Sequence, residues 1–106
     1  MAAKRLVGPA LVATGPTTAY TVPANVKVVV RHVHVSNPHT VAVNFTMSVG
    51  AAAAATDLFN DYSLAAGAVL DWFCYLPMVA AEVIQVAASV NSVLNLVIAG
   101  DTDAAD

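Results

Sequence analysis

Val26-Lys-Val-Val-Val-Arg-His-Val-His-Val-Ser36-Asn-Pro-His-Thr-Val41-Ala-Val-Asn-Phe-Thr-Met-Ser-Val49 is the stretch on which the reading of this chain turns. In its second half Val41, Val43, Phe45, Met47 and Val49 alternate with Ala42, Asn44, Thr46 and Ser48, the period of a strand with one buried face. A slip of one residue would turn the whole apolar set outward, so the pattern fixes register. Burying such a set contributes on the order of 10 kcal/mol before chain entropy is counted, at roughly 1.5–3 kcal/mol per side chain. In the first half Val26, Val28 and Val30 share one face, while Val33 and Val35 fall on the other. Either a β-bulge near Val30 and Arg31 resets the phase or both faces are covered, and each option makes this a central strand. Ser36-Asn37-Pro38 is a turn by composition. Residues 26–49 are therefore expected to form two strands that return on each other as a hairpin.

Working outward, a chain of 106 residues is long enough for one domain and one core. Hydrophobic residues make up 58 % of it and charged residues 10 %, against about 25 % charged in an average soluble domain. A globule of this mass exposes roughly 5,500 Å². Four basic and seven acidic side chains do not cover that area as a freely soluble protein usually does, so other subunits are expected to cover part of it. A membrane helix is not expected: Asn44, Asp57, Asp61, Asp71, Glu82, Asn91 and Asn95 interrupt the apolar residues, and no run reaches the ~18–20 needed. The start, with Lys4 and Arg5 before a short apolar stretch, is broken by Gly8 and Pro9 and is not read as a secretion signal. Cys74 is the single cysteine, which excludes an internal disulfide and a thiol metal cluster and fits a reducing cytoplasm.

Charge is divided along the chain. Residues 1–56 hold Lys4, Arg5, Lys27, Arg31 and the three histidines with no acid, and residues 57–106 hold all seven acids with no Lys or Arg. The two halves interleave in a sandwich, so the division need not produce two poles, but it allows complementary contact between neighbouring copies. A pI near 5.3 with scattered basic residues gives no patch for phosphates, so nucleic acid is not an expected partner.

Residues 1–18, rich in Gly, Pro, Ala and Thr, read as an N-terminal arm that pairs as an edge strand or is ordered by a neighbour. Residues 19–100 read as the body. Within it a short strand over residues 20–22 ends at Pro23, and the alanines of 51–55 are compatible with a helical turn. Residues 57–64 read as a short strand or a loop pinned by Leu58 and Phe59, and a strand over 69–76 is stopped by Pro77. Leu70, Trp72, Cys74 and Leu76 lie on one face of that strand, and Val69, Asp71, Phe73 and Tyr75 on the other. Two more strands over 82–88 and 93–99 follow, and residues 101–106 form an acidic tail. About seven or eight short strands with regular turn signals predict an all-β antiparallel β-sandwich, jelly-roll-like or Ig-like.

His32 and His34 are the sharpest chemical constellation. Two residues apart on a strand they project to the same face about 7 Å apart, a spacing from which both imidazoles can hold one metal, with His39 as a third candidate ligand. Jelly-roll metalloenzymes with such a pair also use a carboxylate shortly after it and a later histidine. Here no acid precedes Asp57 and no histidine follows His39, so the expectation is no metal, the pair being polar groups on an exposed or interfacial face. Asp57, Asn60 and Asp61 lack the ligand density of a calcium loop. Cys74 sits in an apolar strand without a basic flank, as an inert thiol does. Tyr62, Trp72 and Tyr75 could stack a sugar, but aromatics beside Leu70 and Leu76 suit a core or a subunit contact. No phosphate loop, nucleophile elbow or catalytic carboxylate pair is present, and no enzyme activity is expected.

The phrases Tyr20-Thr-Val-Pro-Ala-Asn, Val28-Val-Val-Arg-His-Val-His-Val-Ser-Asn37, Val41-Ala-Val-Asn-Phe-Thr-Met-Ser-Val-Gly50, Leu64-Ala-Ala-Gly67 and Ala81-Glu-Val-Ile-Gln-Val-Ala-Ala88 resemble a recurrent class of small structural proteins of tailed bacteriophages. The resemblance implies a non-enzymatic β-sandwich without cofactor, assembled on a virion in the host cytoplasm. Its implied role is that of a minor capsid, or decoration, protein, with copies of itself and the major capsid protein as partners. Lys4, Arg5, Arg31, His32, His34, Trp72 and Tyr75 are the contact candidates. The alternatives are a tail or fibre-tip component touching host glycan through Trp72 or Tyr75, and, in another class, a cupin-like metal-binding protein using His32, His34 and His39.

Overall fold

The computed structural model describes residues 2–50 and 57–104. Residues 51–55, compatible by composition with a helical turn, lie outside them. The strands are β1 (Ala2–Leu11), β2 (Thr17–Thr21), β3 (Val26–Ser36), β4 (Val43–Val49), β5 (Asp57–Leu64), β6 (Val69–Met78), β7 (Val83–Ala88) and β8 (Asn95–Ala104). Four antiparallel pairs, β1 with β8, β2 with β7, β3 with β6 and β4 with β5, are those of one long hairpin folded in the middle. Rolling that hairpin pairs β8 with β3 and β7 with β4. The result is two four-stranded sheets, ordered β1-β8-β3-β6 and β2-β7-β4-β5. This is a β-sandwich, as the alternation predicts, with the strand order of a jelly roll rather than of an immunoglobulin domain. Its exposed surface of 5440 Å² matches the roughly 5,500 Å² expected of a compact chain of this mass.

The expected hairpin of residues 26–49 is not formed, because β3 and β4 lie in opposite sheets. A two-residue loop would have held them side by side, whereas residues 37–42 give the chain room to cross the core. Val41, expected in the buried set, precedes β4 and is 54 % exposed, while Val43, Phe45 and Met47 are fully buried.

The bulge is present. Register against both neighbours shifts between Val30 and His32, so Val28 and Val30 face the core on one side of it and Val33 and Val35 on the other. Arg31 is the extra residue opposite β8, where Val30 faces Gly100 and His32 faces Ala99. As expected, β3 is a central strand.

One of the two readings of the N-terminal segment is observed, and two expected boundaries are corrected. The segment expected as an arm supplies an edge strand: β1 pairs with β8 from Ala2 to Leu11, with Val7 and Val12 in the core. The segment expected as a tail continues β8 through Ala104 along β3. Pro77 does not stop β6 but sits within it opposite Val29; β6 is an edge strand, where a missing N–H costs no ladder bond on the open side.

The core between the sheets is built on Phe45, Met47, Ile84, Leu94, Leu96 and Ile98 with the inward valines of β3. On the β5/β6 side aromatic rings close the sandwich: Phe59 meets Trp72 edge-on at 5.1 Å and Phe45 at 6.2 Å. On the β1/β2 side Val7, Leu11, Thr18, Ala19, Val86 and Leu96 line a small cavity of about 200 Å³, below the roughly 300 Å³ at which ligand pockets begin.

Candidate functional site

The bulge at Arg31 has a chemical consequence. An unbroken alternation from Val26, Val28 and Val30 would have put His32 and His34 inside and Val33 and Val35 outside; the extra residue reverses this and presents both imidazoles on the outer face of the β1-β8-β3-β6 sheet. Cross-strand pairing then fixes their neighbours. His34 stands opposite Asp71 and Val97, and His32 opposite Phe73 and Ala99, with Arg5 beyond Ala99.

Asp71 Oδ1 lies 2.8 Å from His32 Nε2 and 2.6 Å from His34 Nδ1. An ionised carboxylate only accepts, so both ring nitrogens donate to it. Phe73 lies flat on the His32 ring, 4.3 Å between centroids and 2° from parallel. Next along the face, Arg31 Nε donates to Asp101 Oδ2 at 3.1 Å while its guanidinium sits 5.0 Å above the Tyr75 ring. The charge division along the sequence is thus met inside one sheet, where basic β3 runs between β6 and β8; Lys27 also stands opposite Asp103 in register.

Hydrogen bonds from His34 first and His32 second hold the Asp71 carboxyl below its ordinary value of 3.8. A carboxyl whose value is lowered by folding contributes stability that is present above the ordinary carboxylate range and lost as pH falls through the lowered value. The expected result is a carbon-13 titration of Asp71 with its midpoint below 3.8, which moves upward in His34→Ala. Equal midpoints in the two proteins would refute the coupling.

Of the residues singled out by sequence, His32 and His34 come together and His39 does not join them. His39 lies in the β3–β4 connection, its backbone N–H donating to Asn37 Oδ1. The third group is Asp71, 37 residues further on. Sequence spacing alone cannot find it; the signal was its outward phase in the strand after Gly67, which becomes informative once β3 and β6 are known to pair. Trp72 and Tyr75 belong to opposite faces of β6: Trp72 packs inward on Phe59 and Tyr75 is 68 % exposed, so the two share no platform. Lys4 and Arg5 are exposed on edge strand β1. Cys74 faces inward, donates weakly to the Val30 carbonyl, and burial pushes its thiol up, which leaves it a poor nucleophile. Asp61 is a positive-φ residue of β5 whose backbone N–H donates to Thr46 Oγ1.

Among the described residues no helix is long and apolar enough to cross a membrane. Comparison with protein-family models, curated proteins and solved structures gives no match to this chain. Fold and site define a jelly roll carrying an outward His-His-Asp cluster on an aromatic-edged sheet.

Proposed function

We propose that this chain is a non-enzymatic structural protein of a bacteriophage virion, a minor capsid or decoration protein that binds the head lattice and stabilises it through oligomeric apolar contacts. The observation that carries the reading is the outer face of the β1-β8-β3-β6 sheet. There Val69, Phe73 and Tyr75 stand in a row on β6, 52 %, 75 % and 68 % exposed, in a chain that has only eleven charged residues in all, four basic and seven acidic. Large rings left in water beside sparse charge are the composition of a contact surface. Arg5, Arg31, His32 and His34 on the same face supply the polar rim. Jelly rolls serve capsids, lectins and cupins alike, so the fold is compatible with the reading without selecting it; the phrase resemblance to small phage structural proteins supports this reading beside the contact face.

Two measurements test the proposal. The isolated chain is expected to self-associate by light scattering, and Phe73→Ser with Tyr75→Ser to weaken association at least about ten-fold without loss of fold, since exposed side chains contribute little to the core. A strictly monomeric wild type at high concentration contradicts the oligomeric part. A map of the assembled particle is expected to place the chain on the head, and its location on the tail or absence from the particle overturns the assignment.

A further inference from the structure

We propose that His32, His34 and Asp71 form a binding site for one late first-row divalent cation, Zn²⁺ being the representative ion, which ties edge strand β6 to central strand β3. Their donor atoms, one ring nitrogen from each histidine and a carboxylate oxygen, all lie within 4.8 Å of one another. Two imidazoles and one carboxylate suit zinc and its neighbours rather than calcium or magnesium, which favour all-oxygen sets.

The site is built by the fold rather than scattered over it. The bulge turns both imidazoles outward, register sets Asp71 directly opposite His34, and stacking on Phe73 fixes the plane of the His32 ring. His32 Nε2 and His34 Nδ1 converge on Asp71 Oδ1 at 2.8 and 2.6 Å. Ligands about 2.0–2.2 Å from a zinc ion stand roughly 3–3.5 Å apart, so Asp71 Oδ1 needs to draw back from each ring nitrogen by less than about 1 Å, the donor atoms all lying within 4.8 Å of one another. Asp71 can give this movement, being 45 % exposed. In the hydrogen-bonded state two N–H protons occupy the space between the donors. A cation takes that space when each neutral ring carries its proton on the far nitrogen, and the carboxylate supplies the charge. Arg31, the cation nearest in sequence, is held by Asp101 and Tyr75. With three protein ligands and the cluster open to solvent, a fourth position is left for water or for a group from a partner.

The inference concerns the isolated chain and stands or falls apart from the virion reading. The tag-free protein is titrated with ZnCl₂ by calorimetry, with its melting temperature followed in parallel. One ion is expected per chain, with melting raised by roughly 10 °C at a hundred-fold excess over Kd. His34→Ala and Asp71→Ala are each expected to weaken binding at least about ten-fold and to remove the thermal shift, whereas His39→Ala changes neither. Nitrogen-15 spectra are expected to place zinc on Nε2 of His32 and Nδ1 of His34, a readout that does not depend on variant stability. No stoichiometric binding tighter than about 100 µM, which corresponds to only weak association, overturns the site. So does binding that survives loss of Asp71 or moves to other nitrogens.

Discussion

Replacing Asn37 with aspartate is expected to destabilise the protein by about 3–5 kcal/mol, the cost of a buried charge without a partner. Asn37 is 1 % exposed. Its amide nitrogen donates to the carbonyls of Val41, Leu64 and Ala65 at 3.0, 2.9 and 3.2 Å, and its Oδ1 accepts the His39 N–H at 3.0 Å. Its own backbone N–H and carbonyl are taken by Ala68 and Gly67. One side chain therefore holds the end of β3, the approach to β4 and the β5–β6 turn together, where β3 gives way to the crossing between sheets.

An aspartate keeps the acceptor and replaces the donor by a negative oxygen facing three carbonyls. The penalty depends on pH with a defined sign. Folding raises the carboxyl above its unfolded value near 3.9, so destabilisation grows as pH rises beyond that value and shrinks below it, where the neutral acid can donate once. Asn37→Ala lacks that dependence and is expected to cost roughly 3 kcal/mol for the carbonyls left without a donor. Urea unfolding of both variants from pH 3 to 8 checks this. Midpoints of Asn37→Ala equal to the wild type would show that the amide is not the tie described, and equal midpoints for the two variants throughout would remove the buried charge from the account.

Gly100→Ala is expected to cost about 3 kcal/mol or more, at the upper end of what overpacking does. A Cβ on Gly100 would stand 2.1 Å from the Val29 carbonyl oxygen and 3.1 Å from Val30 Cα. Those atoms are the backbone of central strand β3, so no side chain can rotate away. The contact lies where β8 meets the bulge, with Gly100 opposite Val30 and Ala99 opposite His32. Relief would require β8 to move off β3, disturbing the register that sets the outward histidines. Gly15→Ala is the control: a Cβ there meets nothing within 4 Å, and the change should stay within about 0.5 kcal/mol. Thermal unfolding that ranks the two variants alike would refute the account. In Gly100→Ala a weakened Asp71 coupling, read from its carboxyl titration, is also expected.

The sequence by itself determined that the chain is all-β, that Val43, Phe45 and Met47 share one inward face, and that the apolar phase of β3 changes near Arg31, with a bulge as one of two explanations. Those properties follow from a two-residue period, and a break in that period, which can be read from a few consecutive side chains. The pairing of Val33 and Val35 with the earlier valines on one face was legible as a phase change between Val30 and Val33. Only the tertiary structure decided which strands are neighbours. Alternation says that a side chain faces the core, and it is silent about which of several equally apolar strands lies beside it. For that reason β3 and β4 read as a hairpin and are in opposite sheets, residues 2–11 read as an arm and pair along β8, residues 101–104 read as a tail and pair along β3, and Asp71 showed no connection to His32 and His34 until β6 was placed beside β3. Asn37 read as a turn residue, because composition marks where a chain bends and not which distant carbonyls close around the bend.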